Sequence, residues 1–145
     1  MTDPKPTILL VEDNDEDALL LRRALRLAKI ECSLQVAQDG QEAIEYLGGT
    51  GKYGVRAQYP WPSLVLLDLK LPYVHGFEVL AWVATQPACQ DLRIIILTSS
   101  GEERDRAKAV QFGIQTYFTK PPNKDLVELV GKTLQETYPP ATPVK

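Results

Sequence analysis

The chain has 145 residues, 44% of them hydrophobic, and carries 19 acidic against 16 basic side chains for a net charge of −3. That length suits one domain with a real core, the charge leaves no cationic footprint for nucleic acid, and no apolar run approaches the roughly 20 residues needed to span a membrane. Two cysteines and a single histidine give no zinc spacing, and Met1-Thr2-Asp3-Pro4-Lys5-Pro6 lacks the basic-then-apolar order of an export signal, so the expected compartment is the cytoplasm, with reduced thiols.

Short leucine-rich and β-branched runs alternate with amphipathic stretches, the pattern of βα units wound around a parallel sheet. The first strand is predicted over Ile8 to Val11. A helix follows with Ala18, Leu21, Leu25 and Ala28 as its apolar stripe and Asn14 with Asp17 as its N-terminal cap. Strand two is Ser33 to Val36 and helix two about Gly40 to Leu47. Strand three is Leu64 to Asp68; His75 is expected in a surface loop, and helix three runs from about Phe77 to Thr85, stopped before Pro87. Strand four is Arg93 to Thr98. Ser100-Gly101-Glu102-Glu103 reads as a capping box opening helix four, which ends near Phe112 and Gly113. Thr116 to Phe118 is the last strand, and helix five starts after Asn123 and buries Leu126, Leu129, Val130 and Leu134. Near-continuous apolarity in Leu64 to Leu67 and Ile94 to Leu97 marks central strands covered on both faces. The expected fold is α/β, a doubly wound five-stranded parallel sheet with five helices over 7–137, with 1–6 a disordered N-terminus and 138–145 a flexible tail.

Right-handed crossovers put every strand's carboxyl end on one edge of the sheet, where open α/β folds bind ligands. That edge collects Glu12 and Asp13 after the first strand, Asp68 after the third, Thr98 at the end of the fourth and Lys120 after the fifth. A lone acid after a strand is most often a turn former, and an acidic first helical turn such as Asp15 and Glu16 complements the helix dipole. Those separate readings do not explain why all these groups share one edge. Three acids, a hydroxyl and a lysine suit a divalent cation and a phosphoryl group. Magnesium fits best, because it takes one or two carboxylates, keeps several waters and completes its shell with phosphate oxygens.

Leu10-Val11-Glu12-Asp13-Asn14, Leu66-Leu67-Asp68-Leu69-Lys70-Leu71-Pro72 with Gly76, Ile96-Leu97-Thr98-Ser99 and Tyr117-Phe118-Thr119-Lys120-Pro121 together resemble the receiver domain of two-component response regulators. The likeness runs from about Thr7 to Leu134. It implies a flavodoxin-like strand order, 2-1-3-4-5. It also implies that Asp68 is the phosphoacceptor for a sensor histidine kinase, and that Mg²⁺ is held by Asp13, Asp68, the Lys70 backbone carbonyl and, directly or through water, Glu12. Lys120 and Thr98 would contact phosphoryl oxygens, Thr98 and Tyr117 would form the switch, and the bond from Lys120 to Pro121 would be cis. In the family, the position of Lys70 tunes how fast water reaches the aspartyl phosphate.

The segment 48–62 is longer than the usual connection, and its Tyr53, Tyr59 and Trp61 suit docking on the domain's own helices or on a partner. A similar insertion appears in small single-domain regulators serving phytochrome-type histidine kinases, which makes a bacteriophytochrome one candidate donor. No output domain is expected after helix five, so the signal would leave by contact with a downstream protein, by a further phosphotransfer or by homodimerisation through the helix-four to helix-five face. Two rival readings stand beside this one. A magnesium-dependent hydrolase of the haloacid dehalogenase type also uses an aspartate at a strand end, but usually carries a second acid where this chain has Lys70. A degenerate receiver would act as a scaffold without taking phosphate.

Overall fold

The computed structural model describes residues 5–138, so the expectations for 1–4 and 139–145 lie outside the described residues. Alternation of strand and helix gives, in order, β1 (Thr7–Val11), α1 (Asp15–Leu27), β2 (Ser33–Ala37), α2 (Gly40–Gly48), β3 (Leu64–Leu67), α3 (Gly76–Ala84), β4 (Ile94–Thr98), α4 (Glu103–Gln111), β5 (Tyr117–Thr119) and α5 (Lys124–Thr137). All pairings are parallel and the sheet order is β2-β1-β3-β4-β5, as the resemblance implies.

The apolar runs are continuous because alternate residues face two different cores. Ile8, Leu10, Leu64, Leu66, Ile95 and Leu97 pack with Leu21 and Leu25 of α1 and Leu126, Val130 and Leu134 of α5. Leu9, Val11, Val65, Leu67 and Ile96 pack on the opposite face with Ala43, Tyr46 and Leu47 of α2, Val79 and Leu80 of α3 and Ala109 of α4. Each fully buried leucine or isoleucine contributes about 1.5–3 kcal/mol, so the two layers fix which way every strand end points.

Caps set most helix starts. Asn14, Asp39 and Asn123 each accept a backbone N–H through the side chain, from Asp17, Glu42 and Leu126 respectively. His75 lies in the loop as expected and ends it as the N-cap of α3, its Nδ1 accepting from the Phe77 amide at 3.1 Å while Glu78 Oε1 accepts from the His75 amide at 3.3 Å. The capping box expected at helix four does not form. The helix begins only at Glu103, so Glu102 and not Ser100 is the N-cap, and it makes no side-chain cap bond; Ser100 Oγ accepts from the Glu102 amide at 3.4 Å and donates to Asp105 Oδ2 at 2.6 Å.

The long connection is not structureless. It holds a 3₁₀ turn over Gly51–Gly54, and Tyr46, Tyr53 and Tyr59 meet with ring centroids 4.9–5.9 Å apart. Arg56 donates to the carbonyls of Tyr46 (2.8 Å), Leu47 and Tyr59 (both 3.2 Å), and its guanidinium lies over the rings of Tyr46 and Trp61. The planar fork thus ties the C-terminal turn of α2 to the far side of the insertion. Of the two docking options, the domain's own helices receive these aromatics.

Candidate functional site

Register brings the acids together. Val11 pairs with Leu67, and Leu67 with Ile96, so Glu12 and Asp68 leave the sheet side by side next to the last turn of β4. The Asp68 amide donates to the Val11 carbonyl at 3.1 Å, and the Glu12 amide to the Ala37 carbonyl at 2.9 Å, which holds both backbones as the strands end. Behind them α3 begins at Gly76, where a Cβ would lie 2.6 Å from the Asp68 carbonyl oxygen and 2.7 Å from Leu69 Cα. Only a residue without a side chain lets the helix approach the Asp68 loop this closely.

Glu12 and Asp68 are buried, each 4% exposed, and Asp13 stands at the open rim. One carboxylate oxygen from each of the three lies within 4.8 Å of the others. Hard oxygen donors at that spacing fit a divalent cation, and three clustered carboxylates call for a counter-charge. Burial pushes the Glu12 carboxyl up to about 7, with the hydrogen bond from Lys120 working against it and the neighbouring Asp68 charge adding to it.

Lys120 reaches into this cluster from the loop after β5, with Nζ 2.6 Å from Glu12, 2.8 Å from Asp68 and 2.8 Å from Asp17. Burial works to lower its pKa, yet the bonds to Asp17, Asp68 and Glu12 outweigh it and hold the ammonium above its ordinary value. The peptide bond to Pro121 is cis, as expected. Asp17, read from the sequence only as part of a helix cap, is therefore also a member of the charged cluster. Its amide makes the cap to Asn14 and its carboxylate makes the ion pair.

Thr98 is fully buried at the end of β4, and its Oγ1 accepts from the Ser100 amide at 3.4 Å. The Lys120 amide donates to the Thr98 carbonyl at 2.8 Å, coupling the two loops. Tyr117 is half-buried: its hydroxyl donates to the Ser100 carbonyl at 2.7 Å and the Arg106 guanidinium lies 4.5 Å above its ring. The Lys70 amide donates to Asp68 Oδ1 at 3.2 Å, while its half-exposed side chain turns away to Asp105 at 3.7 Å.

With that geometry in view, comparison with known proteins assigns the class. Residues 8–131 match the family model of the response regulator receiver domain, and the chain belongs to that family. It is 35% identical over 130 residues to the response regulator Rcp1 of Synechocystis, covering 89% of this chain and 86% of Rcp1. The Mn²⁺-bound form of Rcp1 superposes with a TM-score of 0.74 at 36% identity, over 89% of this chain and 91% of that one. The bacteriophytochrome response regulator AtBRR gives a TM-score of 0.77 at 36% identity, over 92% of this chain and 94% of its own. The phosphorylated cyanobacterial phytochrome response regulator RcpA gives 0.75 at 33% identity, over 89% and 91%. The chain is thus a two-component signalling domain close to phytochrome response regulators, and the hydrolase reading falls away. Among the described residues, no helix is long and apolar enough to cross a membrane.

Proposed function

We propose that this receiver takes a phosphoryl group from a phosphohistidine of a sensor histidine kinase onto Asp68. The observation that carries this reading is the Asp68 carboxylate itself, buried at a strand end with the Lys120 ammonium 2.8 Å away and two further acids beside it. An Asp68 oxygen forms the new bond to phosphorus as the bond to the imidazole nitrogen breaks, and that nitrogen keeps the electron pair. Asp13 and Asp68, Glu12 directly or through water, and the Lys70 carbonyl would hold Mg²⁺, which when bound offsets the charge on carboxylate and phosphoryl oxygens. Lys120 already sits on Asp68 and needs only to exchange a carboxylate partner for a phosphoryl oxygen.

Thr98 and Tyr117 form the readout. A phosphoryl oxygen draws the Thr98 hydroxyl toward Asp68, and Tyr117 follows inward, which reshapes the face made by α4, β5 and α5. The likeness to AtBRR and RcpA supports a phytochrome-type kinase as donor, with a downstream protein or phosphotransfer partner reading the altered face.

Incubation with Mg²⁺ and acetyl phosphate followed by intact-mass measurement tests the reading. One phosphoryl adduct on the wild type and none on Asp68→Asn is the expected result. A wild type that takes no adduct from either acetyl phosphate or a phosphorylated kinase would instead mark a scaffold.

A further inference from the structure

Asp105 stands apart from the other acids around α4. Glu102 and Glu103 are exposed, as charges that complement a helix N-terminus usually are, whereas Asp105 is 9% exposed and turned toward the phosphorylation loop. Its Oδ2 accepts the Ser100 hydroxyl at 2.6 Å and lies 3.7 Å from Lys70 Nζ. The Ser100 hydroxyl, and after it the Lys70 charge, hold the Asp105 carboxyl below its ordinary range, against the effect of burial. Lys70 is thus held at its amide, which donates to Asp68 Oδ1, while its half-exposed ammonium is drawn toward Asp105 at 3.7 Å.

We propose that Asp105 is a positioning residue that keeps the Lys70 ammonium off the phosphoryl group, leaving the approach of water to phosphorus open and so shortening the life of the phosphorylated state. The inference rests on Asp68 being the phosphoacceptor. In the hydrolysis step the water oxygen bonds to phosphorus as the bond from phosphorus to the Asp68 oxygen breaks. The Asp68 oxygen keeps the electron pair as a carboxylate, and the protons of water leave with phosphate and solvent. Without a carboxylate at 105 the nearest anion to Lys70 becomes the phosphoryl group two residues away along the chain. A lysine stem lying across that group blocks the in-line path.

The same contacts connect the site to its readout, since the Ser100 held by Asp105 also supplies the carbonyl that accepts the Tyr117 hydroxyl. Asp105 is therefore a point at which the dephosphorylation rate and the set of α4 are adjusted together.

The test follows decay of the acetyl phosphate adduct by intact mass, with Mg²⁺ present and the donor removed, in wild type, Asp105→Asn, Lys70→Ala and the double variant. Asp105→Asn is expected to lengthen the adduct's half-life severalfold, Asp105→Glu to restore it, and the double variant to decay as Lys70→Ala does. An equal lengthening with and without Lys70, or none in either background, overturns the inference. Should Asp105→Asn not fold, Asp105→Ala joined to Ser100→Ala removes the carboxylate together with its buried donor, and the same dependence on Lys70 is required. Absence of any adduct on the wild type overturns the phosphoacceptor reading as well, whereas an adduct of unaltered lifetime overturns this inference alone.

Discussion

The Lys120 ammonium lies 2.8 Å from Asp17 Oδ2, a contact between residues 103 apart in sequence that ties the first turn of α1 to the loop after β5. Through this ion pair, and those to Glu12 and Asp68, one cation offsets part of the negative charge of a cluster that would otherwise repel itself. Without a metal, the site is held together by Lys120.

Removing that cation has a thermodynamic consequence. Lys120→Met leaves three carboxylates facing one another in a largely buried setting, and breaking such an arrangement costs about 3 kcal/mol. Urea unfolding in a chelator is expected to show this loss, with part of it recovered when Mg²⁺ is added. Equal midpoints for the two proteins in chelator would refute it.

Proton competition at Glu12 gives a pH dependence with a definite sign. Its carboxyl is raised from the usual 4.5 to about 7, so the stability it contributes is complete below pH of about 4.5 and is lost as pH rises through about 7. Metal binding requires the deprotonated form and runs the other way. Mg²⁺ affinity is expected to strengthen about tenfold between roughly pH 6 and pH 8, measured by titration calorimetry, and in Glu12→Gln this dependence should disappear.

Gly76→Ala forces a Cβ onto backbone atoms of Asp68 and Leu69 that cannot rotate away. Such overpacking costs about 1–3 kcal/mol, and the strain falls on the loop that carries Asp68. Both the thermal midpoint and the rate of adduct formation with acetyl phosphate should drop. A variant that melts lower yet phosphorylates at the normal rate would show that Asp68 is held independently of α3.

Arg56 closes the insertion with three carbonyl bonds, and its guanidinium lies over two aromatic rings. Arg56→Ala is expected to lose about 2–4 kcal/mol and to expose 48–62 to limited proteolysis while the rest of the chain stays resistant. Arg56→Lys should rescue little, because an ammonium lacks the planar fork that reaches Tyr46, Leu47 and Tyr59 at once.

The strands and the acids at their ends were legible from residue pattern alone. A buried parallel strand must be apolar on both faces, as Ile8 to Val11, Leu64 to Leu67 and Ile94 to Leu97 are, and a polar residue ending such a run marks the sheet edge. Glu12, Asp68, Thr98 and Lys120 could therefore be located before any fold was known, and Asn14 and Asn123 announced their helices by local capping chemistry. Helix four misled because Ser100-Gly101-Glu102-Glu103 satisfies the local rule for a cap, while the helix begins two residues later and Ser100 lies in the loop before it, its hydroxyl on Asp105. The capping role of His75 went unread because histidine is an uncommon cap, although its spacing to Glu78 was there to be seen.

What the sequence determined by itself was the set of groups delivered to one edge of the sheet, since strand period and right-handed crossover are local rules that a single chain obeys in order. What only the tertiary structure decided was their partners. An aspartate in a first helical turn looks the same whether it faces water or a lysine. The packing of α1 against the sheet brings Asp17 to Lys120, and the packing of α4 brings Asp105 between Ser100 and Lys70. Ion pairing depends on distances of a few ångströms between segments far apart in the chain, and those distances are set by how two cores fill, not by any residue's neighbours in sequence.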